Sequence, residues 1–197
     1  GHKSTHRTWM PDTMDLGLYD NIKFPLPHNF YDDYAGREAA AVQDMTIAKT
    51  MLLGYDLKMF VNEEEENKQG SIKRMNPAQR QAFDAYYKNI YNDFKSQNLS
   101  GNALTEWKYQ RYMKDYLNTA ASLDRNIERT LNYLDANNLT NNTIVIYVSD
   151  QGFYLGEHGW FDKRFMYEES FRTPMAMRYP GVIKPGSKNN NLLLNMD

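Results

Sequence analysis

The run Thr143–Ser149, TIVIYVS, constrains the fold more than any other stretch of this chain. It is apolar and β-branched without alternation, too short for a helix, and closed by Asp150-Gln151-Gly152. Such a run reads as a strand buried on both faces, the kind found in parallel sheets covered by helices. Directly before it lies a helical pattern from about Leu104 to Asp135. Its apolar face is Tyr109, Tyr112, Met113, Tyr116, Leu117, Ala120, Leu123, Ile127, Leu131 and Leu134, and an Asn-rich turn at 137–142 ends it. A long helix feeding a doubly buried strand predicts an α/β fold with a mostly parallel sheet flanked by helices. Met175–Tyr179 is a second strand candidate, stopped by the Pro180-Gly181 turn.

The rest of the chain fits around that unit. Residues 1–36 carry Pro11, Pro25 and Pro27 and show no periodicity, which predicts irregular structure. Residues 37–53 read as a first helix ending at Gly54, and Asn62–Asn67, NEEEEN, as a solvated acidic loop. Asn76-Pro77-Ala78-Gln79 is a helix start, with Asn as cap, Pro in the first turn and Gln three residues after the cap. Phe83, Tyr86, Tyr87, Ile90 and Phe94 continue it at helical spacing. With 197 residues, 41% hydrophobic and 24% charged, the chain has the composition of a globular domain. A net charge of −2 lacks the basic surplus of a nucleic-acid binder. No apolar run approaches the roughly 18 residues of a membrane span. The absence of cysteine excludes disulfides, thiolate metal sites and a cysteine nucleophile within the chain. The 15 Tyr serve either a core or a sugar-contacting surface.

Two clusters could carry chemistry. Asp150 and Gln151 follow the carboxyl end of the buried strand, the edge where open α/β sheets bind ligands. Their hard oxygens suit Ca²⁺ or Mg²⁺, and the alternative is a strand-ending turn capped by Asp. Lys163 lies thirteen residues beyond Asp150 and could share an anion with a cation held there, or lie on the surface. His158 and Trp160 could line the same pocket, and His158 could equally be a hydrogen-bonded structural histidine. The amino-terminal run HKSTHRTW, His2 to Trp9, concentrates imidazole, ammonium and guanidinium groups. It could bind an anion or supply a proton near neutral pH, or be a basic loop.

Together, VSDQGFYLGEHGWFDKRF with the residues up to Gly186, HKSTHRTWMP, and SLDRNIERTLNYLDANNL resemble the type I sulfatase family. The nearest flavour is that of bacterial carbohydrate sulfatases acting on N-acetylglucosamine 6-sulfate, including glycosaminoglycan degraders. The resemblance implies an alkaline-phosphatase-like α/β fold. It makes Asp150 and Gln151 ligands of Ca²⁺, and Lys163 and His6 catalytic groups on the sulfate, with His6 protonating the departing sugar oxygen. Lys3, His158 and Trp160 would contact substrate, and Arg172 would be structural. It also implies a sulfated carbohydrate as partner and a periplasmic or secreted location. Sulfatases use a formylglycine made from a Cys/Ser-x-Pro-x-Arg motif, which this sequence lacks. Residues 1–197 are thus expected to be a partial catalytic domain, without the upstream nucleophile segment and the C-terminal end, and inactive alone. Two other readings remain open: a phosphodiesterase or phosphatase of the same superfamily, and a sugar-binding pseudoenzyme.

Overall fold

A computed structural model describes residues 1–66 and 69–194. The chain divides into two compact units, one of Gly1–Asp124 with Leu155–Asp162 and one of Arg125–Tyr154 with Lys163–Asp197. In chain order the main elements are α1 (Glu38–Val42), α2 (Glu63–Glu66), α3 (Pro77–Gln97), α4 (Gly101–Ala136), β1 (Val145–Tyr147), β2 (Tyr154–Leu155), β3 (Phe161–Asp162), α5 (Glu168–Phe171) and β4 (Ala176–Arg178).

In the first unit, α3 begins as its sequence dictates. The Asn76 side chain accepts from the Gln79 amide and the Gln79 side chain reaches back to the Asn76 amide, with Pro77 in the first turn. Phe83 and Tyr87 are buried, and Phe94 meets Trp107 of α4 at 4.2 Å between ring centroids. The aromatic centre is Trp9, Tyr112 and Phe161, all essentially without exposed surface.

α4 starts three residues before the expected Leu104, and its buried face differs from the expected apolar stripe. Lys108, Arg111, Asp115, Asn118, Thr119 and Ser122 are buried together with Tyr109, Tyr112 and Met113. Lys108 donates to carbonyls of residues 47–51, Asp115 is held by Lys58, Tyr87 and Arg111, and Thr119 donates to the Asp115 carbonyl. Other α4 side chains satisfy the irregular amino-terminal segment, whose main chain has no ladder of its own. Gln110 accepts from the Phe24 amide at 2.9 Å and donates to the Phe24 carbonyl at 2.8 Å. Tyr109 donates to the Pro25 carbonyl, Lys114 to the Asp20 carbonyl, and Ser122 accepts from the Asp12 amide. The loop predicted for residues 1–36 is thereby an ordered strap held along α4.

The expected helix over 37–53 contracts to the five residues of α1. Gln43 turns into extended backbone, and the following residues pair elsewhere: Ile47 N–H donates to the Gly159 carbonyl and Phe161 N–H to the Met45 carbonyl. The Lys108 ammonium sits on the carbonyls of Ala48 and Met51, at 3.1 and 2.9 Å. A tertiary ladder and a buried cation thus outbid local helix propensity. The acidic run winds into the single turn α2 over Glu63–Glu66, and its Asn67 lies outside the described residues.

In the second unit, the apolar run forms a strand only over Val145–Tyr147. It pairs antiparallel with β4, in the register Val145 to Arg178, Ile146 to Met177 and Tyr147 to Ala176. The expectation of a parallel sheet, buried on both faces, is corrected here. Both described sheets have two strands, and Ile144, Ile146, Tyr147 and Val148 are each about half exposed. The chain is α/β, with small antiparallel sheets.

Candidate active site

His6, Lys3, His158 and Trp160 belong to the first unit, and Asp150, Gln151 and Lys163 to the second.

His6 and Lys3 come together. They line a cavity of about 300 Å³ with Arg7, Arg74, Trp9 and Thr119, and no carboxylate is among its described lining residues. Arg7 is paired with buried Asp56, so the basic character of the cavity rests on Lys3 and Arg74. A tight turn carries His6: its amide donates to the Lys3 carbonyl and its carbonyl accepts from the Trp9 amide. The His6 ring is exposed, and its Nδ1 lies 2.7 Å from the Arg7 carbonyl. A carbonyl only accepts, so Nδ1 carries the proton there and Nε2 is the atom left to exchange one.

His158 sits apart from that cavity's lining, on the short 3₁₀ turn Glu157–Gly159. Its Nδ1 lies 2.6 Å from Asp32 Oδ2, and the Asn29 amide nitrogen lies 3.3 Å from its Nε2. Arg37 grips the same Asp32, with Nη1 2.9 Å from Oδ2 and Nη2 on Oδ1. The Arg37 guanidinium, followed by His158 and the Tyr34 amide, holds Asp32 well below the usual carboxylate range, against the opposing effect of burial. Gly159 is fixed by a close approach: at φ +70° a Cβ there would fall 2.7 Å from the Phe30 carbonyl. Trp160 exposes no surface and stacks on Tyr34 at 5.5 Å. In this structure it supports the His158 turn and presents no face to a solute.

In the second unit, Asp150 is exposed and Gln151 half-buried just beyond β1. Ser149 Oγ donates to the Gln151 carbonyl at 2.8 Å, which folds the turn. Gly152 makes its close approach to protein rather than to a ligand. Its amide donates to the Ser170 carbonyl at 2.8 Å, and a Cβ would fall 2.1 Å from the Glu169 carbonyl oxygen. Ser170 in turn donates from Oγ to the Lys163 carbonyl at 2.9 Å. Buried Ser170 of α5 therefore ties the Asp150-Gln151-Gly152 turn and Lys163 to one short helix. The Lys163 ammonium lies 5.9 Å from the centre of the Phe153 ring. Arg172 is exposed, 4.0 Å from Glu168. Asp150 and Gln151 offer oxygens suited to a hard cation, which takes about six to eight such ligands as Ca²⁺. Among the described residues no group of three or more His, Asp or Glu converges into a cage.

Sequence reasoning did not single out Asp32, Asn29, Arg37 or Ser170. Asp32 and Asn29 meet His158 across 126 and 129 residues, so no local spacing announces them, while Arg37 and Ser170 have partners five and seven residues away that no recognised motif marks.

One unit thus carries a basic pocket around an imidazole, and the other carries oxygen donors at a strand end in a turn that Ser170 ties to the Lys163 main chain. The comparisons sharpen this. Residues 156–197 match the family model described as N-sulphoglucosamine sulphohydrolase, C-terminal. The chain is 47% identical over 201 residues to the N-acetylglucosamine-6-O-sulfatase of Bacteroides thetaiotaomicron, an alignment covering 99% of this chain and 36% of that protein. The human N-acetylglucosamine-6-sulfatase is 35% identical over 80 residues, 40% of this chain and 14% of its own length. A solved structure in complex with its substrate, D-glucosamine-2-N,6-O-disulfate, superposes with a TM-score of 0.85 at 47% identity, covering 93% of this chain and 38% of that one. The chain belongs to the sulfatase family. It spans a little over a third of the length of the bacterial sulfatase it matches.

Proposed function

We propose that the chain supplies part of the active site of a carbohydrate sulfatase that releases sulfate from the 6-hydroxyl of a glucosamine unit. The observation that carries this reading is the 47% identity of an alignment that covers 99% of the chain. Relatives named for N-acetylglucosamine-6-sulfatase activity and a matched structure holding a disulfated glucosamine support the same substrate class.

In this reading His6 and Lys163 act on the sulfate. Lys163 balances charge on the transferring group, and His6, with Nδ1 held by the Arg7 carbonyl, passes a proton from Nε2 to the departing sugar oxygen. Lys3 adds positive charge to the same cavity, and His158, oriented by Asp32, contacts the sugar. Asp150 and Gln151 would hold Ca²⁺, which when bound stabilises negative charge on the sulfate oxygens. A carboxamide ligand favours Ca²⁺ over Zn²⁺ and with it a sulfatase over a zinc phosphodiesterase. The remaining ligands and the formylglycine nucleophile would come from the part of the relatives' length that this chain does not span. The same part would complete an alkaline-phosphatase-like sheet beside β1. The reading places the protein outside the cytoplasm, in line with relatives named as extracellular sulfatases.

The test is sulfate release by the full-length protein containing this chain, with 6-sulfated N-acetylglucosamine, the 2-N,6-O-disulfate, sulfated galactose and a phosphate ester as substrates. Release from the 6-sulfated glucosamines, lost in His6→Ala and Lys163→Ala, is expected. Turnover of the phosphate ester alone would replace this reading with a phosphatase.

A further inference from the structure

We propose that Asp56 and Lys58 are positioning residues that set the His6 imidazole, and the proposal rests on the role given to His6 above. Both come from one turn of the first unit, and both side chains are fully buried. They grip the His6 turn at two points. Asp56 takes the Arg7 guanidinium in a two-pronged pair, with Nε to Oδ1 at 2.5 Å and Nη2 to Oδ2 at 2.8 Å. Arg7 is the residue whose carbonyl holds His6 Nδ1. Lys58 donates to the Trp9 carbonyl at 2.9 Å, and the Trp9 amide closes the turn on the His6 carbonyl. The imidazole is thus fixed through its ring by way of Arg7 and through its main chain by way of Trp9.

The two grips are anchored from behind. Asp56 Oδ2 also accepts from the Leu52 amide at 2.8 Å. Lys58 pairs with Asp115 of α4 at 3.1 Å, and Asp115 is itself held by Tyr87 and Arg111 at 2.9 and 2.6 Å. Buried ion pairs of this kind contribute little net stability against apolar packing of equal volume, so a network with this many charged members invites another explanation. The backbone points the same way. Trp9 at φ +44° and Lys58 at φ +62° both occupy the left-handed region that side chains other than glycine rarely adopt. Such outliers persist where surrounding structure overdetermines them, and they gather at functional sites. The two here are joined by one hydrogen bond three residues from the imidazole. A proton donor has to stand within hydrogen-bond reach of the oxygen it protonates, and misplacement by about an ångström can cost about a hundredfold in rate.

The first experiment reads geometry without activity. In the full-length protein ¹⁵N-histidine labelling reports the ring nitrogens, and the four histidines of this segment are assigned by substitution. In Asp56→Asn and in Lys58→Met, the His6 ring nitrogens are expected to shift and broaden, while those of His28 and His158 stay where they are. Asp56→Asn keeps the side-chain shape, and it decides the matter if Lys58→Met does not fold. His6 resonances unchanged, or all rings moving alike, would overturn the proposal.

The second experiment separates a positioned acid from general weakening. In the full-length protein, turnover of the 6-sulfated sugar is expected to fall about tenfold or more in Asp56→Asn, with KM little changed. An aryl sulfate, whose phenolate leaves without a proton, is expected to lose much less. Equal losses on both esters overturn the positioning role and leave the sulfatase reading standing. A wild-type protein that releases sulfate from neither ester overturns the sulfatase reading, and the ring resonances still decide whether the clamp sets His6.

Discussion

Asp32 shows how one carboxylate can hold two cationic or ring side chains at once. It holds His158 through Oδ2 and Arg37 through both oxygens. Its folded pKa lies well below the unfolded value of about 4, chiefly because of Arg37. For an acid depressed on folding, the stabilisation is fully present above the unfolded pKa and is lost as pH falls through the folded one. The melting temperature of Asp32→Asn is therefore expected to lie below wild type at pH 7. The gap should narrow steadily once pH drops below about 4, as seen in thermal unfolding followed by circular dichroism. A gap that stays constant down to the lowest pH would show that the charge of Asp32 contributes nothing. Gly152 makes a complementary point about the second unit. A Cβ at 2.1 Å from the Glu169 carbonyl leaves Gly152→Ala no room, because the obstacle is main chain. A loss of about 1–3 kcal/mol is expected in urea unfolding, the range of overpacked sites. Since Ser170 links this turn to Lys163, the same variant is expected to lower turnover in the full-length protein as well.

Elements were legible where local chemistry decides them. α3 is the clearest case, because its Asn-Pro-x-Gln start satisfies the first amides without tertiary help. Asn76→Ala should cost about 1 kcal/mol, read as a lower urea midpoint with an unchanged slope. α4 was legible in extent but not in function. The apolar periodicity at Tyr109, Tyr112 and Met113 announces a buried face, yet Lys108, Arg111, Asp115 and Ser122 share it because distant parts of the chain bring them partners: carbonyls of residues 48 and 51 for Lys108, Lys58 and Tyr87 for the Arg111–Asp115 pair, and the Asp12 amide for Ser122. A stripe of polar residues at helical spacing was the available signal, and exposed helices carry similar stripes. Residues 43–53 leave the helix expected over 37–53 because their ladder partner lies beyond residue 156, out of range of any local pattern. The site divides along the same line. His6, Lys3, Asp150, Gln151 and Lys163 stand out by residue type and motif, whereas Asp32, Asp56, Lys58 and Ser170 matter through contacts that only folding creates.

For the whole chain, the most telling mismatch lies between the composition of β1 and its surroundings. Ile144, Ile146, Tyr147 and Val148 are 55%, 52%, 47% and 48% exposed, and Met175 and Met177 on and beside β4 are each 43% exposed. A soluble monomer rarely leaves such a contiguous apolar sheet uncovered, and a two-stranded sheet with free edges is a template for pairing. The bacterial sulfatase is nearly three times as long as the segment matched, which leaves ample chain to cover it. The 197-residue chain alone is therefore expected to self-associate, sedimenting above its monomer mass of 23.1 kDa and enhancing the fluorescence of an apolar dye. Ile146→Lys with Met177→Glu replaces the directly paired residues by opposite charges, which keeps the cross-strand pair while removing its apolar surface. That double variant should shift the chain toward monomer and suppress dye binding. In the full-length protein the same two changes should act in the opposite sense and lower the melting temperature, because there the face is predicted to be packed. A full-length protein indifferent to the double variant would mean that the face stays open to solvent, and that β1 is not the inner strand its composition implies.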